Sequence, residues 1–447
     1  MHDPLNLFDL VHDELRQRAE SGYVVDEAAD RLAGVADDDR AGLESVYREL
    51  GQGQRRRDWG YHEPDTLREI LDAMPAATYP TTVSGAPVLG SDQLSDRVLG
   101  GWLGRIAGCN LGKPVENGDL WPPELIRSYL EQAGAYPLRD YIPASDPPAE
   151  GYPLRECWRE TTRGRIHGSA RDDDIDYSIL ALSLLERRGL DLSIADVAEA
   201  MLANLPYLRV FTAERAAIVN LLREVPVESV GQTRNPYREW IGALIRADVY
   251  GWAFPGRPDL AVRLAFIDAS LTHRANGIYG AIWAAALVSL ACVARSVRAA
   301  FTASLAWVPE RSRLAEALRW VQAEHAAGRT WEETLDAIRH RYGHYSWVHT
   351  VNNACLIAAG LLWGEQDFAT TVGLTVQGGW DTDSNAATAG SVTGTVLGAR
   401  TLPPHFIEPL QDRTRSAVFG YDNSRISTLA ERTTRLACSG VGSGRTS

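Results

Sequence analysis

Apolar residues recur along this chain at helical intervals, and the alternating pattern of half-buried strands is scarce. Leu67, Ile70, Leu71 and Met74 follow the i, i+3, i+4, i+7 rule after Glu63-Pro64-Asp65-Thr66, a favourable helix start. Thr330-Trp331-Glu332-Glu333 has capping-box spacing ahead of Leu335 and Ile338. The uncharged run from Ile278 to Ala294 is shorter than the roughly 20 residues a membrane span needs, so it reads as a buried core helix. Helix follows helix, and the pattern predicts an all-α fold.

Pro75 to Gly90, rich in Pro, Thr, Ala and Gly and free of charge, separates an N-terminal helical region from every stretch that carries a chemical signal. The expected organisation is an extension with its linker over 1–90, a main domain over 91–438, and a Gly/Ser-rich disordered tail over 439–447. A second irregular stretch, Tyr136 to Arg165, holds several prolines and is expected to be a long surface excursion.

Two glycine stripes change the picture. Gly100, Gly104, Gly108 and Gly112 repeat every fourth residue, as do Gly390, Gly394 and Gly398. Each glycine inside a helix costs about 1 kcal/mol relative to alanine, so such a repeat needs compensation. Close approach of another helix to the bare face supplies it, and the ends of the stripes are where a ligand could sit.

Composition narrows the function classes. A formal charge of -13 disfavours nonspecific capture of nucleic acid, which needs a basic surface to displace counterions. The five cysteines, Cys109, Cys157, Cys292, Cys355 and Cys438, are scattered and form no CxxC pair. This argues against a disulfide framework or a structural zinc site and suits a reducing cytoplasm. Acidic residues near the N-terminus, Asp3, Asp9, Asp13 and Glu14, do not resemble a secretory signal. Of the 45 basic residues 44 are arginine, and the one lysine, Lys113, lies in the first glycine-rich segment. Either coding bias leaves it there by chance, or the position wants a compact ammonium in place of a planar guanidinium.

Three constellations could carry chemistry. Asp172-Asp173-Asp174 opens the apolar helix Tyr177 to Leu185; Asp37-Asp38-Asp39 also precedes a helix, Arg40 to Leu50, so an Asp triplet alone can be an ordinary cap. Gly378-Gly379-Trp380-Asp381-Thr382-Asp383-Ser384 is more specific, because Asp-x-Asp with a hydroxyl on a Gly-preceded turn offers converging oxygens to a hard cation. Gly104 to Glu116 ends in Gly112-Lys113-Pro114-Val115-Glu116, a helix that stops at a carboxylate. Two acidic helix starts far apart in sequence could converge on a pair of divalent ions. His344 and His349 precede a buried-looking helix and are open to pocket contact or packing, and Cys109 reads as a small buried residue.

In this order the motifs resemble the ADP-ribosylglycohydrolase family: Gly-x3-Gly-x3-Gly-x-Pro-x-Glu, an acidic helix start, Thr272-His273 before a small-residue helix, then Gly-Gly with Asp-Thr-Asp-Ser and a glycine-striped helix. The resemblance spans roughly Asp92 to Arg400. It implies an all-α orthogonal helical bundle, here with an N-terminal helical extension, and two Mg²⁺ or Mn²⁺ ions. It places the metal ligands on Asp172, Asp173, Asp174, Asp381, Asp383 and Ser384, and the pocket glutamate on Glu116. The substrate loop falls on Gly242 to Arg246, including Gly242 and Arg246, with His273 facing ribose or phosphate. Asn110, Lys113, Trp380 and Thr382 complete the expected substrate contacts, and Glu116 and Asp173 are the expected catalytic carboxyls.

The departures from the pattern are informative. Asp172 stands where the family has threonine, Ile175 replaces a second threonine, and Cys109 and Asn110 replace Asp and Ala. Trp380 intrudes before Asp381, and Trp240-Ile241 replaces an Asn-Gly. The implied function is hydrolysis at the anomeric carbon of an ADP-ribose-like substrate, either a small molecule or an ADP-ribosylated protein. Two alternatives stay open: a small ribosylated metabolite as substrate, or binding of ADP-ribose without catalysis.

Overall fold

The computed structural model describes residues 4–75, 83 and 89–439. The expected linker and C-terminal tail lie almost wholly outside these residues. Among the described residues α-helices succeed one another, and the β-structure is one two-residue pair, Arg413–Thr414 with Ser424–Arg425, plus isolated bridges. The all-α expectation therefore holds. No described helix is long and apolar enough to cross a membrane, and all five cysteines are free.

The helix signals in the sequence act where they were expected. Thr330 accepts from the Glu333 amide at 3.2 Å while Glu333 accepts from the Thr330 amide at 3.0 Å, opening the helix Trp331–Tyr342. Such caps stabilise a helix by about 1 kcal/mol. The helix after Thr66 is shorter than its periodicity, running only from Leu67 to Asp72. Asp39 accepts from the Gly42 amide at 3.0 Å, so the first Asp triplet is a plain cap. The apolar run becomes the helix Asn276–Ala291, buried at every residue at the centre of the bundle.

The two glycine stripes meet each other. A Cβ on Gly100, Gly104, Gly108 or Gly112 would collide with the backbone of Gly394, Gly390, Ala386 or Thr382 in turn. One set of numbers rises as the other falls, so Ser91–Gly112 and Thr382–Leu397 run antiparallel in backbone contact. Dispersion between the two backbones offsets the entropy that the glycines lose. The seam has a positional consequence: the last turn of the first helix lies beside the first turn of the second.

The N-terminal helices have a small core of their own, built on Val11, Ala28, Leu43, Val46 and Leu50. Polar contacts fasten them to the main body. Arg238 pairs with Glu14 at 2.7 Å, and Gln17 and Ser21 donate to Glu239 at 2.8 and 2.6 Å. Glu239 also accepts from Asn276 at 2.9 Å and Arg313 at 2.5 Å, and Arg313 pairs in turn with Glu63 at 2.9 Å. The Tyr136 to Arg165 stretch is not purely superficial, because Leu138, Tyr141 and Ile142 are buried in the main core and Trp158 is buried as well. It returns to the seam's end, where the Arg155 amide donates to the Pro114 carbonyl at 3.0 Å.

Candidate active site

Three chain segments converge at that end of the seam. The first glycine helix passes into the short turn Lys113–Val115, and Glu116 follows it. Thr382 donates its hydroxyl to the Gly112 carbonyl at 2.9 Å, joining the end of one helix to the start of the other. Asp381 is the N-cap of the second helix, and its amide donates to Asn353 at 3.3 Å. Asp172 caps the helix Asp173–Arg188 by accepting from the Asp174 amide at 2.8 Å. The Ser384 hydroxyl then donates to Asp174 at 3.0 Å, bridging the two acidic motifs across 210 positions.

The donors fall into two adjoining clusters. Oxygens of Glu116, Asp381 and Asp383 lie within 4.8 Å of one another, as do donor atoms of Cys109, Asp172, Asp174 and Asp383. Asp383 belongs to both. Helix N-termini favour the aspartates electrostatically, but the mutual repulsion of the carboxylates and their burial do not. Burial, then Asp383, pushes Glu116 well above the usual carboxylate range. Burial and Asp172 push Asp174 well up, and Asp173 up to about 8. Burial and Asp383 do the same to Asp381. Asp172 moves down instead: burial opposes this, but the paired Lys113 ammonium, Arg171 and the Asp174 amide together outweigh it. Carboxyls crowded and desolvated in this way are relieved by a cation, and oxygen donors at this separation suit a hard divalent ion.

The clusters open into a cavity of about 1170 Å³. Lys113, Glu116, Asp172, Asp173, Asp174, Gly242, Asp381, Asp383 and Ser384 all line it, so nine of the residues expected from the sequence come together. Five do not line it, and each has a structural task instead. Asn110 donates to Ser169 at 2.8 Å and accepts from the Ala170 amide at 3.2 Å, anchoring the approach to Asp172. Thr382 is turned to Gly112. Arg246 is buried between Glu214 and Asp268, with Asp268 at 2.8 Å, and donates to Thr272 at 2.7 Å. His273 is fully buried against the Thr272 hydroxyl at 2.7 Å. Trp380, at a φ of 58°, lies under the Arg339 guanidinium at 4.4 Å. His349 caps its own helix and stacks on Tyr345, and neither His344 nor His349 lines the cavity.

Several lining residues were not foreseen. Arg155, Arg159, Arg209 and Arg415 are exposed and mark the mouth, while Asp172, Asp174, Asp381 and Asp383 form a buried floor. Arg155 pairs with Glu116. Phe211, Trp240 and Trp347 add aromatic surface to the wall. Nothing local distinguishes these arginines from the rest of an arginine-rich chain. Only the proline-rich excursion around Arg155, the Trp240-Ile241 departure from the family pattern and the aromatic-histidine stretch around Trp347 carried any signal.

Residues 90–439 match the family described as ADP-ribosylglycohydrolase. A solved structure described as an ADP-ribosylglycohydrolase-related protein complex shares 18% identity, covering 77% of this chain and 99% of that one, with a TM-score of 0.44. No curated protein matches the chain.

Proposed function

This chain belongs to the ADP-ribosylglycohydrolase family, and on that premise we propose that it is a divalent-cation-dependent glycosidase releasing an ADP-ribose-like group from an acceptor. The observation that carries the reading is the convergence of Glu116, Asp381 and Asp383 on one point, beside a second donor cluster that shares Asp383. These oxygens suit Mg²⁺ or Mn²⁺, and the resemblance implies one ion for each cluster. A bound dication supplies Lewis acidity toward ribose hydroxyls and makes a coordinated water easier to deprotonate.

The remaining work belongs to side chains. Asp381 and Asp383 hold the cation and, with Glu116, give a floor of negative charge suited to an oxocarbenium-like transition state. Glu116 and Asp173 orient or deprotonate the attacking water; both carboxyls are held above their ordinary range by burial, which makes them better bases than exposed acids. The pairing with Arg155 fixes the direction in which Glu116 points. Arg159, Arg209 and Arg415 at the mouth match a diphosphate, to which guanidinium forks bind in two-point fashion. Phe211 and Trp347, both half-buried, offer faces to a nucleobase.

Purified protein should release ADP-ribose from arginine- or serine-linked conjugates in Mg²⁺ or Mn²⁺ and stop when the metal is chelated. Absence of turnover on every linkage with metal bound would reject the substrate class. A panel that includes free ribosides separates ADP-ribosyl transfer to water from action on a small ribosylated metabolite. Ligand binding that survives chelation without hydrolysis would leave only the binding alternative.

A further inference from the structure

We propose that Lys113 is the resident cation of the Cys109–Asp172–Asp174–Asp383 cluster, so that this chain holds one divalent ion, at Glu116–Asp381–Asp383, instead of two. The proposal rests on reading the centre as metal-dependent and concerns how many ions it takes. Lys113 is the one lysine in the chain, and it is buried with only 7% of its surface exposed. Its ammonium pairs with one oxygen of Asp172, whose other oxygen accepts from the Asp174 amide at 2.8 Å. Both oxygens of Asp172 are therefore engaged from within the protein.

Asp174 is engaged in the same way. One oxygen accepts from Arg105 at 3.3 Å and the other from Ser384 at 3.0 Å. Arg105 also pairs with Asp248 at 2.7 Å, so its charge is divided. The fourth donor, Cys109, is a thiol where a carboxylate would bring fixed charge. Lys113 and Arg105 thus already offset Asp172 and Asp174, leaving Asp383, which the other cluster shares. At that other cluster Glu116 pairs with Arg155, and Asp381 and Asp383 form no ion pair among the described residues. The demand for outside positive charge is concentrated there.

An ammonium suits the role better than a guanidinium, since it is a compact point charge with donors on all sides. The Lys113 position at the C-terminal end of the first glycine helix adds the favourable end of that helix's dipole. A second dication would have to displace an ammonium already seated on Asp172 and would lie a few ångströms from the first ion.

Equilibrium dialysis of the full chain against Mn²⁺, counted by elemental analysis with the EPR spectrum recorded alongside, tests this. The expected result is one Mn²⁺ per chain with the spectrum of an isolated ion, and two per chain with the signature of a coupled pair in Lys113→Ala. Two ions in the unaltered protein would overturn the proposal, as would one ion in a folded Lys113→Ala. No bound Mn²⁺ would instead bring down the metal-dependent reading itself. If circular dichroism shows Lys113→Ala to be unfolded, Lys113→Met, closer to lysine in bulk, takes its place, and the unaltered protein's count is decisive without either.

Discussion

Gly104 and Gly390 face each other so closely that a Cβ on either would meet the other's carbonyl oxygen. Gly104→Ala must therefore push two backbones apart, and overpacking of this kind costs about 1–3 kcal/mol or more. We expect it to lower stability by at least that amount in urea unfolding and to weaken cation binding at the seam's end. Gly51→Ala is the control: it is a helical glycine with nothing within 4 Å of an added Cβ, so it should stabilise by roughly 0.5–1 kcal/mol.

Asp383 is common to both donor clusters. In Asp383→Asn the amide oxygen can still accept from the Ser384 amide, now bonded at 3.0 Å, so folding should survive. Catalytic efficiency should fall about 100-fold or more, in the range seen when one electrostatic group is removed from an active site. Calorimetry should register weaker Mn²⁺ binding in parallel. Unaltered Mn²⁺ affinity would show that the ion is held elsewhere.

Arg246 is a structural residue in this arrangement. It serves Glu214 and Asp268, both almost fully buried, and Arg246→Ala strands two carboxylates in the interior. Breaking a buried pair from one side costs about 3–5 kcal/mol, and chemical denaturation should show a loss of that order. A variant of normal stability with a raised KM would return Arg246 to substrate contact.

Glu20 gives the stability a pH dependence. Burial and the nearby Glu239 push its carboxyl up to about 8, against the hydrogen bond it accepts from the Ser346 amide. Below about pH 4.5 the carboxyl is protonated in folded and unfolded chains alike and costs nothing. Between there and pH 8 the unfolded chain releases a proton that the folded one keeps, so stability declines as pH rises, then levels off. Glu20→Gln removes the share of the decline that belongs to Glu20. It should match the parent at pH 4 and exceed it by on the order of 2–4 kcal/mol at pH 8.5. Parallel melting curves across that interval would contradict the assignment.

The helices were legible because their periodicity and caps are local, and the seam because glycines four apart must face something. Which stripe faces which is a long-range fact, and no spacing within one helix encodes it. The acidic centre was legible because its motifs are compact. Its neighbours were not: adjacency in a motif does not say where a side chain turns. Asn110 turns toward Ser169, Thr382 toward Gly112 and Trp380 toward Arg339, although each stands within three residues of one that lines the cavity. The arginines of the mouth come from three separate segments, and only folding assembles them.

Glu239 takes hydrogen bonds from Gln17 and Ser21, which precede the part of the chain that matches the family, and the next residue, Trp240, forms cavity wall. A protein trimmed to residues 90–439 would keep every acid of its floor yet lose two clasps on the adjoining wall. The leading helices are thus a part of the chamber's masonry, and drift in them can reshape which guest is admitted while the reacting groups stay untouched.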